Sequence, residues 1–120
     1  MKLAFSTNGS TAEDDINPRF GRCNNFVIIE DSLDNVSVIS NGGAMASGGA
    51  GIQAAQTLIN SKVDAIVTGN VGPNAYSTLS SAGIKIFTGA NGKISQAFEN
   101  YKEGKYGETS GPTAKSHSGM

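Results

Sequence analysis

The chain has 120 residues, enough for one domain with a single modest core and too few for two. Nine Lys and Arg against ten Asp and Glu leave a net charge of -1, which supplies no global field to attract nucleic acid or an anionic membrane, so any anion site must be local. One cysteine excludes an internal disulfide framework and Cys-rich zinc sites, and no apolar run approaches the roughly 20 residues that span a bilayer. The opening "MKLAFSTNGS" has no apolar stretch long enough for a signal peptide, so a soluble cytoplasmic protein is expected.

In chain order, "KLAFS" (2–6) and "FVIIED" (26–31) are short apolar runs bounded by turn residues and read as buried strands. "NVSVIS" (35–40) alternates as a half-buried strand does, and the short polar connection before it predicts an antiparallel hairpin with the second strand. From Ile52 the period changes. Ile52, Ala55, Leu58 and Ile59 share a helical face, and Gly49 and Gly51 punctuate the helix start. "DAIVTG" (64–69) is a fourth strand. Pro73 then suits the first turn of a helix whose Ala75, Leu79 and Ala82 share a face and which Gly83 ends. "IKIF" (84–87) is the fifth strand, and Ile94, Ala97, Phe98 and Tyr101 follow the i, i+3, i+4, i+7 rule of a third amphipathic helix. From Gly104 the polar, aperiodic "GKYGETSGPTAKSHSGM" predicts a mobile tail over 104–120 beyond a domain of residues 1–103.

The order βββαβαβα predicts an α/β fold with a mixed sheet, because helical crossovers imply parallel neighbours while the opening strands can pair antiparallel. With the second strand reversed, the segments 7–25, 41–51, 68–73 and 88–92 all leave carboxyl ends of strands at one edge. That edge is where open α/β sheets bind ligands. Many of the 16 glycines fall in those loops, which points to backbone approaching a ligand.

Several separated motifs, "NPRFGRC" (17–23), Asn41 after the third strand, "GGAG" (48–51), "TGNVGPNA" (68–75) and "SAGIKIF" (81–87), occur in an order that resembles the dinitrogenase iron-molybdenum cofactor biosynthesis, or NifX-like, family. That family includes the molybdenum-copper orange protein, and the resemblance runs from Lys2 to Tyr101. It implies a ribonuclease H-like three-layer α/β/α fold with a five-stranded sheet of order 3-2-1-4-5, the second strand antiparallel. It implies carriage or assembly of a molybdenum-sulfur cluster, with copper or iron as further candidate metals, and cofactor-assembly or ATPase proteins as partners. Pro18, Phe20, Gly21 and Arg22 match the first motif, Gly49 and Gly51 the second, and Gly69, Gly72, Pro73 and Ala75 the third. Many relatives carry histidines between the third strand and the first helix, whereas "NGGAMASGGAG" (41–51) has none.

A thiometallate is an anion, so the two arginines beside the only cysteine suggest its recognition. Guanidinium donors of Arg19 and Arg22 can hold it, and their positive charge would favour a Cys23 thiolate. The competing reading has Pro18, Phe20 and Gly21 anchoring a loop, the arginines solvated, and Cys23 a small buried residue ahead of a strand. Cys23 is the first candidate metal ligand. One cysteine cannot complete a cluster's coordination, so a cluster bringing its own sulfides, held by arginines and backbone N–H groups, is the expected arrangement. "GGAG" at a helix start and Gly69, Asn70, Gly72 and Pro73 at another supply such N–H groups, or else only pack closely. Met45 is a candidate soft contact to copper.

Other chemistries find less support. Gly49, Gly51 and Ala54 fit a degenerate dinucleotide pattern, but a long loop separates them from their strand and no acidic residue ends "DAIVTG". "KLAFS" lacks the carboxylates that nucleases of this fold gather on their central strands, and there is neither a Walker lysine nor a nucleophile–base pair. His117 and the pair Asp14 and Asp15 read as solvated. A non-catalytic cluster carrier is the leading expectation. The alternative is a regulatory or scaffold domain of the same fold that binds a partner protein or a simple anion.

Overall fold

The computed structural model of the chain describes residues 1–42 and 49–113. Its elements are β1 (Lys2–Thr7), β2 (Asn25–Glu30), β3 (Val36–Ser40), α1 (Ala50–Asn60), β4 (Ala65–Val67), α2 (Pro73–Ser81), β5 (Lys85–Phe87) and α3 (Ile94–Lys102), with a 3-10 turn over Phe20–Arg22. They form one sheet of order β3-β2-β1-β4-β5. β1 runs antiparallel to β2 and parallel to β4, β2 is antiparallel to β3, and β4 is parallel to β5. The expected order and the reversed second strand are therefore both present.

Period-2 alternation divides the strand residues between two cores. Ala4, Phe26, Ile28, Ile66 and Ile86 face Ala54, Ala55 and Leu58 of α1 and Ala75 and Leu79 of α2. Leu3, Phe5, Val27, Ile29, Ala65 and Val67 face Ile94, Ala97 and Phe98 of α3, with Phe98 edge-on to Phe5. Two helices thus cover one face and a single helix the other, which makes the three layers.

That asymmetry corrects the reading of β3. Only Ile39 is partly buried there, whereas Val36 and Val38 are exposed. The register sets Val38 opposite Val27 and Val36 opposite Ile29, on the face that α3 covers, but β3 is the outermost strand and one helix does not reach it. Two helical faces also shift. Ile52 is 43% exposed because α1 packs through Gly51, Ala54, Ala55 and Leu58, and Ala82 is exposed as the C-cap of α2 rather than part of its buried face.

Of the segment expected to be a mobile tail, residues 104–113 run across the β5 edge and residues 114–120 lie outside the described residues. Thr109 N donates to Ile86 O at 2.7 Å, the Thr88 and Thr109 hydroxyls share a 2.7 Å hydrogen bond, and Thr113 N donates to Val71 O at 2.9 Å. Tyr106 packs against the α3-side core. Among the described residues no helix is long and apolar enough to cross a membrane.

Candidate functional site

The strand directions bring the carboxyl ends of β1, β3, β4 and β5 to one edge, and the buried polar residues gather there too: Ser6, Thr7, Asn41 and Thr68. Each organises a loop. The Ser6 hydroxyl donates to Asn17 O at 2.7 Å, so in its 2.7 Å contact with Thr68 Oγ1 the threonine must be the donor. Thr7 Oγ1 donates to Asp15 O and accepts from Gly9 N. These side chains tie residues 9–17 to the end of β1. Sequence reasoning passed over Ser6, Thr7 and Thr68, although a signal was present: "AFST" and "IVTG" end neighbouring strands with hydroxyl residues after an apolar run, and parallel pairing of Phe5 with Val67 makes Ser6 and Thr68 adjacent.

The arginine turn is held from three sides. Pro18 and Phe20 pair with the β4–α2 loop, Asn70 N donating to Pro18 O at 2.8 Å and Phe20 N to Asn70 O at 3.3 Å. The Phe20 ring is buried, 5.4 Å from Phe26 between centroids. Gly21 lies against the first turn of α1, where a β-carbon would come within 3.1 Å of the Gly51 α-carbon and nitrogen. Gly51 in turn fits against the Ala75 β-carbon, and Gly69 against Pro18. Three of the glycines read as ligand approaches therefore have a packing reason: they let the turn, α1 and the β4–α2 loop touch. Arg22 follows Gly21 and is half-buried, and Arg19 is exposed.

Gly49 caps α1 in a left-handed conformation (φ 71°), offering no side-chain acceptor, and the first turn contains no acidic residue. No side chain of that first turn therefore offsets the positive end of the helix dipole beside the arginine turn. A cleft of about 400 Å³ runs from Asn8 to Arg19 and includes Asp14 and Asp15, so Arg19 shares its wall with two acidic residues. Hydrogen bonds from Ser10 N, Thr11 N and the Thr11 hydroxyl hold Asp14 below the usual carboxylate range, keeping its charge in place.

At Cys23 the burial fits the second of the two readings, a small buried residue ahead of a strand. Its side chain is fully buried and burial pushes the thiol up to about 11, against the lowering that nearby arginines would bring. The thiol donates to Phe20 O at 3.3 Å. Asn41, also buried, directs its carboxamide nitrogen at Cys23 O (2.8 Å), Gly21 O (3.4 Å) and Cys23 Sγ (3.7 Å), the last contact opposing part of the burial effect. At neutral pH Cys23 is a thiol built into the turn.

The structure therefore brings together Arg19, Phe20, Gly21, Arg22, Cys23, Gly51, Gly69 and Asn70, with Gly49 at the adjoining cap of α1. Gly72 and Pro73 sit one step away as the start of α2, where Tyr76 N donates to Gly72 O at 2.9 Å. Met45 and His117 lie outside the described residues. Among the described residues no group of three or more His, Cys, Asp or Glu side chains could hold a metal ion.

Comparison with known proteins agrees with this fold. The family described as dinitrogenase iron-molybdenum cofactor matches residues 1–104. An uncharacterized protein of Methanocaldococcus jannaschii is 32% identical over 108 residues, 88% of each chain. The apo form of the orange protein from Desulfovibrio gigas superposes with a TM-score of 0.90 at 33% identity, covering 94% of this chain and 96% of that one. The NMR structure of a Thermotoga protein described as a NifB candidate gives 0.80 at 30% identity, covering 94% and 97%.

Proposed function

The chain belongs to the dinitrogenase iron-molybdenum cofactor family, and from that premise we propose that it binds and carries, or helps assemble, an anionic molybdenum-containing metal-sulfur cluster without transforming it. The observation that carries this reading is the packing of Gly21 on Gly51, which sets the arginine turn beside the carboxylate-free N-terminus of α1. The cluster is cargo. It brings its own sulfides, with copper or iron as the second metal, and is held by charge and hydrogen bonding rather than by thiolate ligation.

Each contribution has a physical basis. Arg19 and Arg22 supply charge-assisted donors that match a multiply charged anion. The first-turn N–H groups of α1 add partial positive charge along the same direction. Cys23 keeps its proton and supports the turn from beneath. Such a site releases its cargo without breaking a protein–metal bond, which suits a carrier that passes a cluster to cofactor-assembly or ATPase partners in a reducing cytoplasm.

The test is anaerobic titration with tetrathiomolybdate, followed by the absorbance of the bound anion and by metal analysis. The wild-type protein should bind it, and Arg22→Ala should weaken binding about tenfold or more, from the roughly 1.5 to 3 kcal/mol of a charge-assisted contact. Binding that survives removal of both Arg19 and Arg22 would overturn the proposal.

A further inference from the structure

An anion site has to keep carbonyl oxygens out of the way as well as supply donors, because a carbonyl dipole aimed at an anion opposes binding. In the arginine turn the carbonyls of residues 17–21 and 23 are taken up by the fold itself. Asn17 O accepts from the Ser6 hydroxyl, Pro18 O from Asn70 N, and Arg19 O from Arg22 N. Phe20 O accepts from the Cys23 thiol, and Gly21 O and Cys23 O both accept from Asn41 Nδ2. The last two flank Arg22, so one carboxamide fixes the peptide planes on either side of the residue proposed to hold the cargo.

Asn41 is itself buried, at 4% exposure, and its backbone N–H donates to Asn24 O at 2.9 Å, anchoring it just beyond the end of β3. The two carbonyl oxygens around its side chain require the NH₂ group on that side, which sets the amide orientation. A buried donor with this geometry cannot be lost cheaply, since both carbonyls would be left unsatisfied away from water.

We infer that Asn41 is the positioning residue of the anion site, acting through Arg22: by drawing Gly21 O and Cys23 O inward it turns the carbonyl dipoles of the arginine turn away from the bound anion and sets the direction in which Arg22 leaves the backbone. The inference rests on the proposed anion-binding reading. The Cys23 thiol is the second clamp of the same device, holding Phe20 O. A proton-bearing thiol can do this and a thiolate cannot, which agrees with a thiol held up at about 11.

The experiment is a double-mutant cycle between Asn41→Ala and Arg22→Ala on the full chain, read as tetrathiomolybdate affinity, with melting curves to show that each variant folds. Asn41→Ala should weaken binding by about tenfold, as loss of the Arg22 contact would. In the Arg22→Ala background it should cost less than about twofold more, because a residue acting through Arg22 has nothing left to position. Independent losses, multiplying to about a hundredfold, would overturn the inference, and so would unchanged affinity in Asn41→Ala. If the wild-type protein fails to bind tetrathiomolybdate, the functional proposal fails and amide hydrogen exchange decides the positioning role. Asn41→Ala, or Asn41→Ser if the alanine variant is too unstable, should speed exchange at residues 19–24 and leave β1 and β4 unchanged. Equal protection of the turn in wild type and variant would overturn the inference.

Discussion

Gly69 lies so close to Pro18 that a β-carbon on it would stand 2.6 Å from the Pro18 α-carbon and 2.8 Å from the Pro18 carbonyl oxygen. Both obstacles belong to a backbone that is hydrogen-bonded to Asn70, so neither can swing aside. This contact joins the β4–α2 loop to the arginine turn.

Gly69→Ala should therefore destabilise the protein by about 1 to 3 kcal/mol, the usual range for overpacking a closed site. Gly42→Ala is the matched control, since among the described residues a β-carbon there meets nothing within 4 Å, and it should stay within about 0.5 kcal/mol of wild type. Urea unfolding measures both. Equal stability of the two variants would show that the turn and the loop can separate without loss.

Cys23 makes a pH signature. The unfolded thiol ionises near its ordinary value of 9.0, while the folded one keeps its proton up to about 11. Its contribution is complete below pH 9.0, falls as the unfolded state alone releases the proton, and is gone above about pH 11. The total is on the order of 2 to 3 kcal/mol. Cys23→Ala has no such window, so the stability gap between wild type and variant should narrow steadily across it. A gap that stays constant with pH would mean that the thiol is not held protonated by the fold.

The thiol reading also predicts the outcome of a nearly isosteric change. Cys23→Ser keeps a proton donor within reach of Phe20 O, so thiomolybdate should still bind and the metal content after anaerobic loading should match wild type. A thiolate ligand would behave in the opposite way, because a hydroxyl is a much poorer partner for soft metals. Loss of metal from a folded Cys23→Ser variant would make the sulfur a ligand.

Removing the residues after Gly107 deletes the hydrogen bonds from Thr109 to Ile86 and Thr88 and from Thr113 to Val71. Each is worth about 0.5 to 1.5 kcal/mol net, so with all three gone the truncated chain should lose on the order of 1.5 to 4.5 kcal/mol and melt several degrees lower. Faster amide exchange in β5 should accompany the drop. An unchanged melting temperature would make the strap over β5 dispensable.

Element types and their order were legible in the sequence because each rests on local periodicity. "FVIIED" and "DAIVTG" are short apolar runs bounded by turn residues, the pattern of buried strands, and Ile94, Ala97 and Phe98 recur at the spacing of one helical face. Strand direction followed from the same information, since helical crossovers require parallel neighbours, whereas the order β3-β2-β1-β4-β5 was an expectation from the family resemblance. Burial at the margins was less legible. Val36 and Val38 alternate as buried residues do, yet they are exposed because nothing in a local pattern tells how far a helix on the sheet face extends. Ile52 lost its buried place to Gly51 and Ala54 for a related reason: the approach distance of α2 favours small residues, and that distance belongs to the pair of helices.

For the site, the sequence by itself determined which residues would share one edge of the sheet, because strand direction delivers every loop that follows a parallel strand to the same side. It also determined that arginines and a cysteine would lie together, being contiguous in "NPRFGRC". Only the tertiary structure decided what state they occupy. Adjacent arginines suggest a thiolate, whereas burial under Phe20 and Asn41 gives a thiol, since desolvation depends on everything packed around the sulfur. The meaning of Gly21, Gly51 and Gly69 was likewise decided in three dimensions. A missing side chain marks a place where something comes close, and only the packing of distant segments identifies the neighbour, which for these three is the protein's own backbone and side chains.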